Sequence, residues 1–280
     1  MNIKSIIKSL KQYINNDIIL ILSLGYLGLL FAGRGDLLTW ILLTITLVSA
    51  NIAHISFRKL QEGKKNKSGY KDLLMPEGGW ANTENWPYGL ASSIILIFTS
   101  FMINDICYYL SIIFVILLVG FPLLRRLKSI PNYNLGIFAA LCPLGGFIAA
   151  NNRFAVIPFV LAASIIFWTT GLEICRTIFD IQTIRSKKNI FISSFGTAKS
   201  KIISKILYLF SLAMLIIAGI ISGRGLAYWI MLFCYAIILI RQQYLLNSKD
   251  TETAKNEFLQ INNFIAPLLF AGTLIDVFYK

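Results

Sequence analysis

The chain has one histidine, His54, and four cysteines, Cys107, Cys142, Cys175 and Cys234, no two of them at metal-ligand spacing. That poverty argues against a zinc or haem centre, and the cysteines read as small buried hydrophobes. No Walker loop and no GxGxxG is present, so the backbone cradles that nucleotide-binding folds build for phosphate are missing. Charge is scarce too, at 14% of 280 residues. A soluble domain of this length needs far more to cover its surface. Alternation of apolar and polar residues is also lacking, and continuous runs such as Ile18–Leu30 exclude a membrane β-barrel.

What is present is apolar sequence, 56% of the chain, bunched into nearly charge-free runs that suit a hydrocarbon core ~30 Å thick. The expected spans are 18–33, 37–55, 88–103, 106–124, 135–150, 155–179, 202–222, 225–240 and 261–278. The fold class expected is therefore all-α, a polytopic membrane protein of about nine transmembrane helices occupying residues 17–280. Ahead of it, residues 1–16 carry Lys4, Lys8 and Lys11, with Ile3, Ile6, Ile7, Leu10 and Ile14 at helical spacing. That pattern predicts an amphipathic helix lying on the membrane surface.

The net charge of +13 raises nucleic acid as a partner, and its distribution decides against it. Of 26 Lys and Arg, 22 fall in the N-terminus and the segments 56–87, 125–134, 176–205 and 241–257, whereas Arg34, Arg153, Arg224 and Lys280 fall on the opposite side. This is the positive-inside pattern, which puts the N-terminus and the long loops in the cytoplasm. The setting expected is an integral membrane protein of the bacterial cytoplasmic membrane.

Polar groups converge at the cytoplasmic helix ends. Asn51, His54 and Arg58 are spaced i, i+3, i+7, on one helix face. They read either as a cavity lining or as a helix emerging into headgroups with Arg58 snorkelling. Glu173, Arg176 and Asp180 repeat that spacing at the end of the sixth span, with the carboxylates ~10 Å apart along the axis. Glu173 and Arg176 can form a plain intrahelical ion pair. A carboxylate this far inside an apolar segment is costly, however, which favours a functional reading. Arg125 and Arg126 close the fourth span, either as topological anchors or as ligands for an anionic phosphate.

Taken in order, these segments resemble the UbiA superfamily of intramembrane prenyltransferases. Phe121-Pro-Leu-Leu-Arg125-Arg126 is similar to the family's Tyr-Pro-x-x-Lys-Arg, and Leu135-Gly136 and Pro143-Leu-Gly-Gly146 follow it. Phe167-Trp-Thr-Thr-Gly171-Leu-Glu173-Ile-Cys-Arg176-Thr-Ile-Phe-Asp180 resembles the second acidic motif, with Glu173 where the family has Asp. Phe195-Gly196-Thr-Ala198, Ala254-x-x-x-Phe258-x-x-x-Asn262-Asn263 and Asp276 resemble its later segments. The resemblance implies helices around a central cavity, in which two Asp-rich motifs hold Mg²⁺ against an isoprenyl diphosphate. A lipophilic acceptor then captures the allylic cation.

The first motif, Asn-Asp-x-x-Asp-x-x-x-Asp in the family, reads Asn51-Ile-Ala-His54-Ile-Ser-Phe-Arg58-Lys59 here. Its Asn remains and its acids are gone. The second keeps Glu173 and Asp180 and lacks the next acid at Gln182-Thr-Ile184. At most one Mg²⁺ is then expected, on Glu173 and Asp180, which are also the expected catalytic pair. Asn51, His54, Arg58, Lys59, Arg125, Arg126 and Arg176 are the expected substrate-binding residues. Either Glu62, Asp72 or Glu77 supplies further carboxylate from the loop, or cations such as Arg58, Lys59 and Arg125 meet the diphosphate directly. The function expected is prenyl transfer from an isoprenyl diphosphate to a lipophilic acceptor within membrane lipid. The alternative is a non-catalytic lipid-binding or scaffold member of the same fold. A transporter is disfavoured by the lack of an inverted repeat or broken-helix pair.

Overall fold

The computed structural model describes residues 16–33, 35–62, 86–124, 134–184, 190–248 and 250–279. Among them are nine helices and no strand: α1 (Asn16–Ala32), α2 (Leu37–Glu62), α3 (Trp86–Ile103), α4 (Asp105–Leu124), α5 (Asn134–Asn151), α6 (Val156–Ile184), α7 (Ile190–Ile221), α8 (Leu226–Leu245) and α9 (Thr251–Phe278). The surface helix expected over residues 1–16 falls almost wholly outside the described residues.

Five helices contain segments long and apolar enough to cross a membrane: Leu37–Phe57, Val156–Ile181, Gly196–Ile221, Leu226–Leu245 and Thr251–Phe278. The other four are shorter apolar helices. Large hydrophobic side chains such as Ile94, Phe98, Leu209, Phe233, Ile240 and Phe264 lie exposed on the outer faces, as lipid-facing positions do. The chain is an integral membrane protein.

The helix starts coincide with the expected spans to within two residues for α1 through α6 and for α8. The ends do not. Residues 56–62, 180–184, 190–201, 241–245 and 251–260 are helical, although the apolar windows stop short of them. The 29 residues of α6 extend roughly 43 Å, well beyond a core of ~30 Å. Leaving the hydrocarbon ends an apolar run but does not end the hydrogen-bond ladder.

Local caps set the boundaries. Asp36 accepts a hydrogen bond from the Thr39 amide at 3.0 Å at the start of α2, and Asp250 accepts from the Thr253 amide at 3.2 Å at the start of α9. Asn104, the single residue between α3 and α4, accepts from the Cys107 amide at 2.8 Å. Such caps satisfy the donors that a helix start leaves free. Within α7, Gly196 has φ +75° and ψ 160°, a region that only glycine occupies readily. It breaks the helix between a leading segment, Ile190–Phe195, and the membrane-crossing part. Ser200 then donates to the Gly196 carbonyl oxygen at 2.8 Å.

The described residues form two compact units. One contains α2, α3 and α4, with the start of α1 and the end of α5. Its core joins α2 to α3 through a Thr46–Thr99 hydroxyl contact of 2.9 Å, and Gly89 packs against Ser56 and Phe57. The other contains α6 to α9 with the rest of α1 and α5. There α1 and α5 pack through small residues: a Cβ at Gly28 would fall on the Pro143 carbonyl, and one at Gly146 on the Gly25 carbonyl. Small residues permit this approach where no hydrophobic effect drives membrane helices together. Buried hydroxyls add polar links, Ser164 of α6 to Ser211 of α7 at 3.1 Å and Ser211 to Tyr235 of α8 at 2.8 Å.

Candidate functional site

The expected site residues divide between the two units, and each set has its own surroundings. In the first, Asn51 and His54 are buried near the end of the membrane-crossing part of α2. Both polar atoms of the Asn51 amide are shut off from solvent with no hydrogen-bond partner among the described residues, although only 1% of the residue is exposed. An unmet buried amide is costly, and native proteins keep such groups mainly where a ligand or water meets them. Arg58 and Lys59 lie on the last turns of α2, with side chains outside the described set. Arg125, Arg126, Asp72 and Glu77 fall outside the described residues altogether.

In the second unit, α6 presents the three residues that sequence spacing put on one face. Leu172, Ile174, Cys175, Ile178 and Phe179 are buried, while Glu173, Arg176, Thr177 and Asp180 form the open stripe. Arg176 donates from Nη1 to Glu173 Oε1 at 2.9 Å, so the intrahelical ion pair is formed. The Nε–H of Arg176 is buried without a partner among the described residues. Thr177 donates to the Glu173 carbonyl oxygen at 2.8 Å.

Asp180 does not join that pair. Its Oδ1 accepts from Nζ of Lys255 on α9 at 2.7 Å. One turn further along α9, Phe258 lies against Phe179 with ring centroids 5.3 Å apart, so α6 and α9 run antiparallel here. Lys255 and Asn262 lie seven residues apart on α9, as do Asp180 and Glu173 on α6. Each pair spans roughly 10 Å, which brings Asn262 level with Glu173. Asn262 is buried and its Oδ1 has no partner among the described residues. Behind the stripe, Cys175 is a packing residue that receives weak donors from Tyr208 and Gln243, each at 3.7 Å.

Lys255 was not legible from local spacing, because its partner lies 75 residues away. One signal was available: a lysine in the second turn of a helix opposes the helix dipole and calls for a carboxylate. Gln242 of α8, fully buried with both amide atoms unpartnered among the described residues, was missed as well. It stands in Arg241-Gln242-Gln243, past the end of the expected span 225–240, where the sequence offered no periodicity to read.

A model of the UbiA prenyltransferase family matches residues 21–264. The chain belongs to that family. It is 28% identical over 180 residues to a 4-hydroxybenzoate octaprenyltransferase of Alkalilimnicola ehrlichii, a match covering 63% of this chain and 60% of that one. The chain thus aligns with less than two thirds of that relative's length. In fold it is similar to the apo structure of a UbiA homolog from Aeropyrum pernix K1, with a TM-score of 0.75 at 20% identity over 93% of this chain and 98% of that one. A UbiA homolog from Archaeoglobus fulgidus bound to GPP and Mg²⁺ is similar at a TM-score of 0.56 and 13% identity, over 92% and 96% of the two chains.

The Mg²⁺ that the family implies meets a poor donor set in the described residues. No group of three or more His, Cys, Asp or Glu side chains stands close enough to hold a metal ion. Mg²⁺ demands near-octahedral oxygen ligation. Glu173 and Asp180 are separated by seven residues of helix, and each already bonds a cation of the chain itself. The paired-metal arrangement does not fit these residues.

Proposed function

We propose that this chain is a membrane prenyltransferase that takes an isoprenyl diphosphate and a lipophilic acceptor. The observation that carries the reading is the open charged stripe Glu173–Arg176–Asp180 on an otherwise buried stretch of α6, within the segment that the family model covers. The kinship with a 4-hydroxybenzoate octaprenyltransferase supports an aromatic acceptor.

In this reaction the C1–O bond of the allylic diphosphate breaks and its electron pair leaves with pyrophosphate. The acceptor forms a bond to C1 and loses a proton to solvent. The leaving charge needs preorganised donors. Arg176, Arg58, Lys59, Arg125 and Arg126 are the cations proposed to supply them, and Asn51 and His54 are further proposed substrate-binding residues. Glu173 and Asp180 are proposed as the catalytic pair, through the cations they hold in place. One Mg²⁺ on these carboxylates is the role the sequence leaves for a metal, and binding would have to displace Arg176 and the Asp180 partner.

That pairing also favours a second reading, a member that binds a prenyl lipid without transferring it. The two are separated by incubating the purified protein in nanodiscs with geranyl diphosphate and 4-hydroxybenzoate, then measuring prenylated product and released pyrophosphate. Product supports transfer. Saturable binding without either product favours the binding-only reading, and absence of binding sinks both.

A further inference from the structure

Of the two ion pairs on the α6 stripe, the one between Asp180 and Lys255 is the less expected. With the Asp180 side chain 54% exposed, such a pair contributes little to stability. Yet Lys255 is held firmly. Asp250 caps the start of α9, and Phe258 packs against Phe179 of α6, which fixes the register that presents Lys255 to Asp180. A cation this close to a helix N-terminus is electrostatically disfavoured without a carboxylate beside it. A divalent ion approaching Asp180 would lose the 2.7 Å charge-assisted contact as a ligand position and would sit beside an ammonium group, with strong like-charge repulsion.

Four residues along α6, about 6 Å, Arg176 neutralises Glu173 and keeps a buried Nε–H without a partner among the described residues. An ammonium group carries three donors and a guanidinium five, so neither cation is exhausted by one carboxylate. The stripe is thus an alternation of two anions and two cations with N–H donors left over for an anionic ligand.

We propose that Lys255 is a built-in counter-ion that replaces a divalent metal at Asp180, so that Lys255 and Arg176 receive the diphosphate of the lipid substrate directly and binding needs no Mg²⁺. The assignment of the ligand rests on the prenyl diphosphate reading above; the exclusion of metal from Asp180 does not.

Two measurements on the full chain in detergent test this. In the first, Mn²⁺ alone is titrated and free Mn²⁺ is followed by electron paramagnetic resonance. Wild type and Asp180→Asn should be indistinguishable. Uptake by the wild type that disappears in Asp180→Asn overturns the proposal, whatever the lipid does. In the second, geranyl diphosphate binding is measured in EDTA and in Mg²⁺. Wild-type affinity should differ less than about twofold between the two. Lys255→Met should weaken binding in EDTA roughly tenfold, with Lys255→Arg retaining most of it and certifying that the site folds. Wild-type binding lost in EDTA, or Lys255→Met binding as tightly as the wild type in EDTA, overturns the proposal. No binding by any form in either buffer overturns the prenyl diphosphate reading instead, and the Mn²⁺ titration then decides the role of Lys255.

Discussion

Arg224 and Asp276 face each other 4.0 Å apart as a buried ion pair, their side chains 8% and 2% exposed. Each is satisfied in part by backbone: Arg224 donates from Nη2 to the Leu30 carbonyl oxygen at 2.8 Å, and Asp276 accepts from the Gly225 amide at 3.0 Å. The guanidinium also lies over the Phe31 ring, 4.2 Å from its centroid. These contacts clamp α1, the α7–α8 turn and α9 at the end of α9 opposite Lys255, roughly 31 Å away along the helix. Asp276, one of the residues that carry the family resemblance, therefore has a structural task. Removing one partner of a buried pair strands the other, at a cost of about 3–5 kcal/mol. Asp276→Ala should lower the thermal transition of the detergent-solubilised protein by several degrees. Adding Arg224→Met should recover part of the loss, while geranyl diphosphate affinity stays unchanged. Equal transitions in wild type and Asp276→Ala would refute the clamp.

Glu173 lies nearer the apolar part of α6 than Asp180 and orients Arg176 at 2.9 Å. Glu173→Gln removes the charge that holds the guanidinium and leaves the side-chain volume intact. Prenyl transfer should fall at least tenfold, with elution volume and helix content unchanged, and Asp180→Asn should do the same by releasing Lys255. Full turnover in both variants would rule out this stripe as the site.

Gly196 has a backbone conformation closed to side chains, φ +75° with ψ 160°, and its amino-acid type was carried by the Phe195-Gly196-Thr-Ala198 segment. No atom of the described residues stands within 4 Å of its would-be Cβ, so the penalty of a substitution is conformational. Gly196→Ala should cost on the order of 1–3 kcal/mol, read as a lower thermal transition. An unchanged transition would mean that the break in α7 can be remade as continuous helix at no cost.

The cap of α9 titrates. The Thr253 side chain, and after it the Thr253 amide, donates to the Asp250 carboxylate and holds its pKa below the ordinary value. A depressed folded-state pKa means that the cap's contribution is complete above the unfolded value of ~3.9 and is lost as pH falls through the folded one. Hydrogen exchange, corrected for its intrinsic pH dependence, should show constant protection of the Thr253 and Ala254 amides from pH 7 to 5. Protection should fall on further acidification, and in Asp250→Ala it should be low throughout. Protection independent of both pH and Asp250 would contradict the cap.

The sequence and the structure agree most closely where a single residue run determines the outcome. Ile18–Leu30 and Val156–Thr169 carry no charged residue, and α1 and α6 start within two residues of expectation. The Glu173–Arg176 pair was readable because i, i+3 contacts are local. α9 is the instructive failure. Its apolar window opens at residue 261, ten residues after the helix begins at Thr251, because Lys255 and Glu257 make the first turns polar. Those turns are helical through the Asp250 cap and an Arg241–Glu257 ion pair of 2.7 Å with α8. The same tertiary contacts that hid the helix start also hid Lys255. Spacing along one helix cannot show which residue of another helix will meet Asp180.

The charge asymmetry makes a prediction about orientation that the helices sharpen. Of the four cations assigned to the opposite face, Arg224 is buried with Asp276 and stacked on Phe31, so it is a packing residue and not a loop charge. The turn after α5, with Asn152 and Arg153 exposed, is short, as expected for the face that carries few charges. The turn between α8 and α9 is also short, but Lys201 of α7 donates to its Leu246 carbonyl and Asn247 Oδ1 at 2.7 and 2.8 Å, as befits the basic face. Because positive charge flanking membrane helices is retained in the cytoplasm, that face should be cytoplasmic. Single cysteines replacing Asn247 and Asn152, in a background freed of the four native cysteines, can be challenged in intact cells with a membrane-impermeant maleimide. Position 152 should be labelled from outside and position 247 only after permeabilisation. The reverse pattern would invert the whole molecule in the membrane and place the α6 stripe on the side away from cytoplasmic diphosphates.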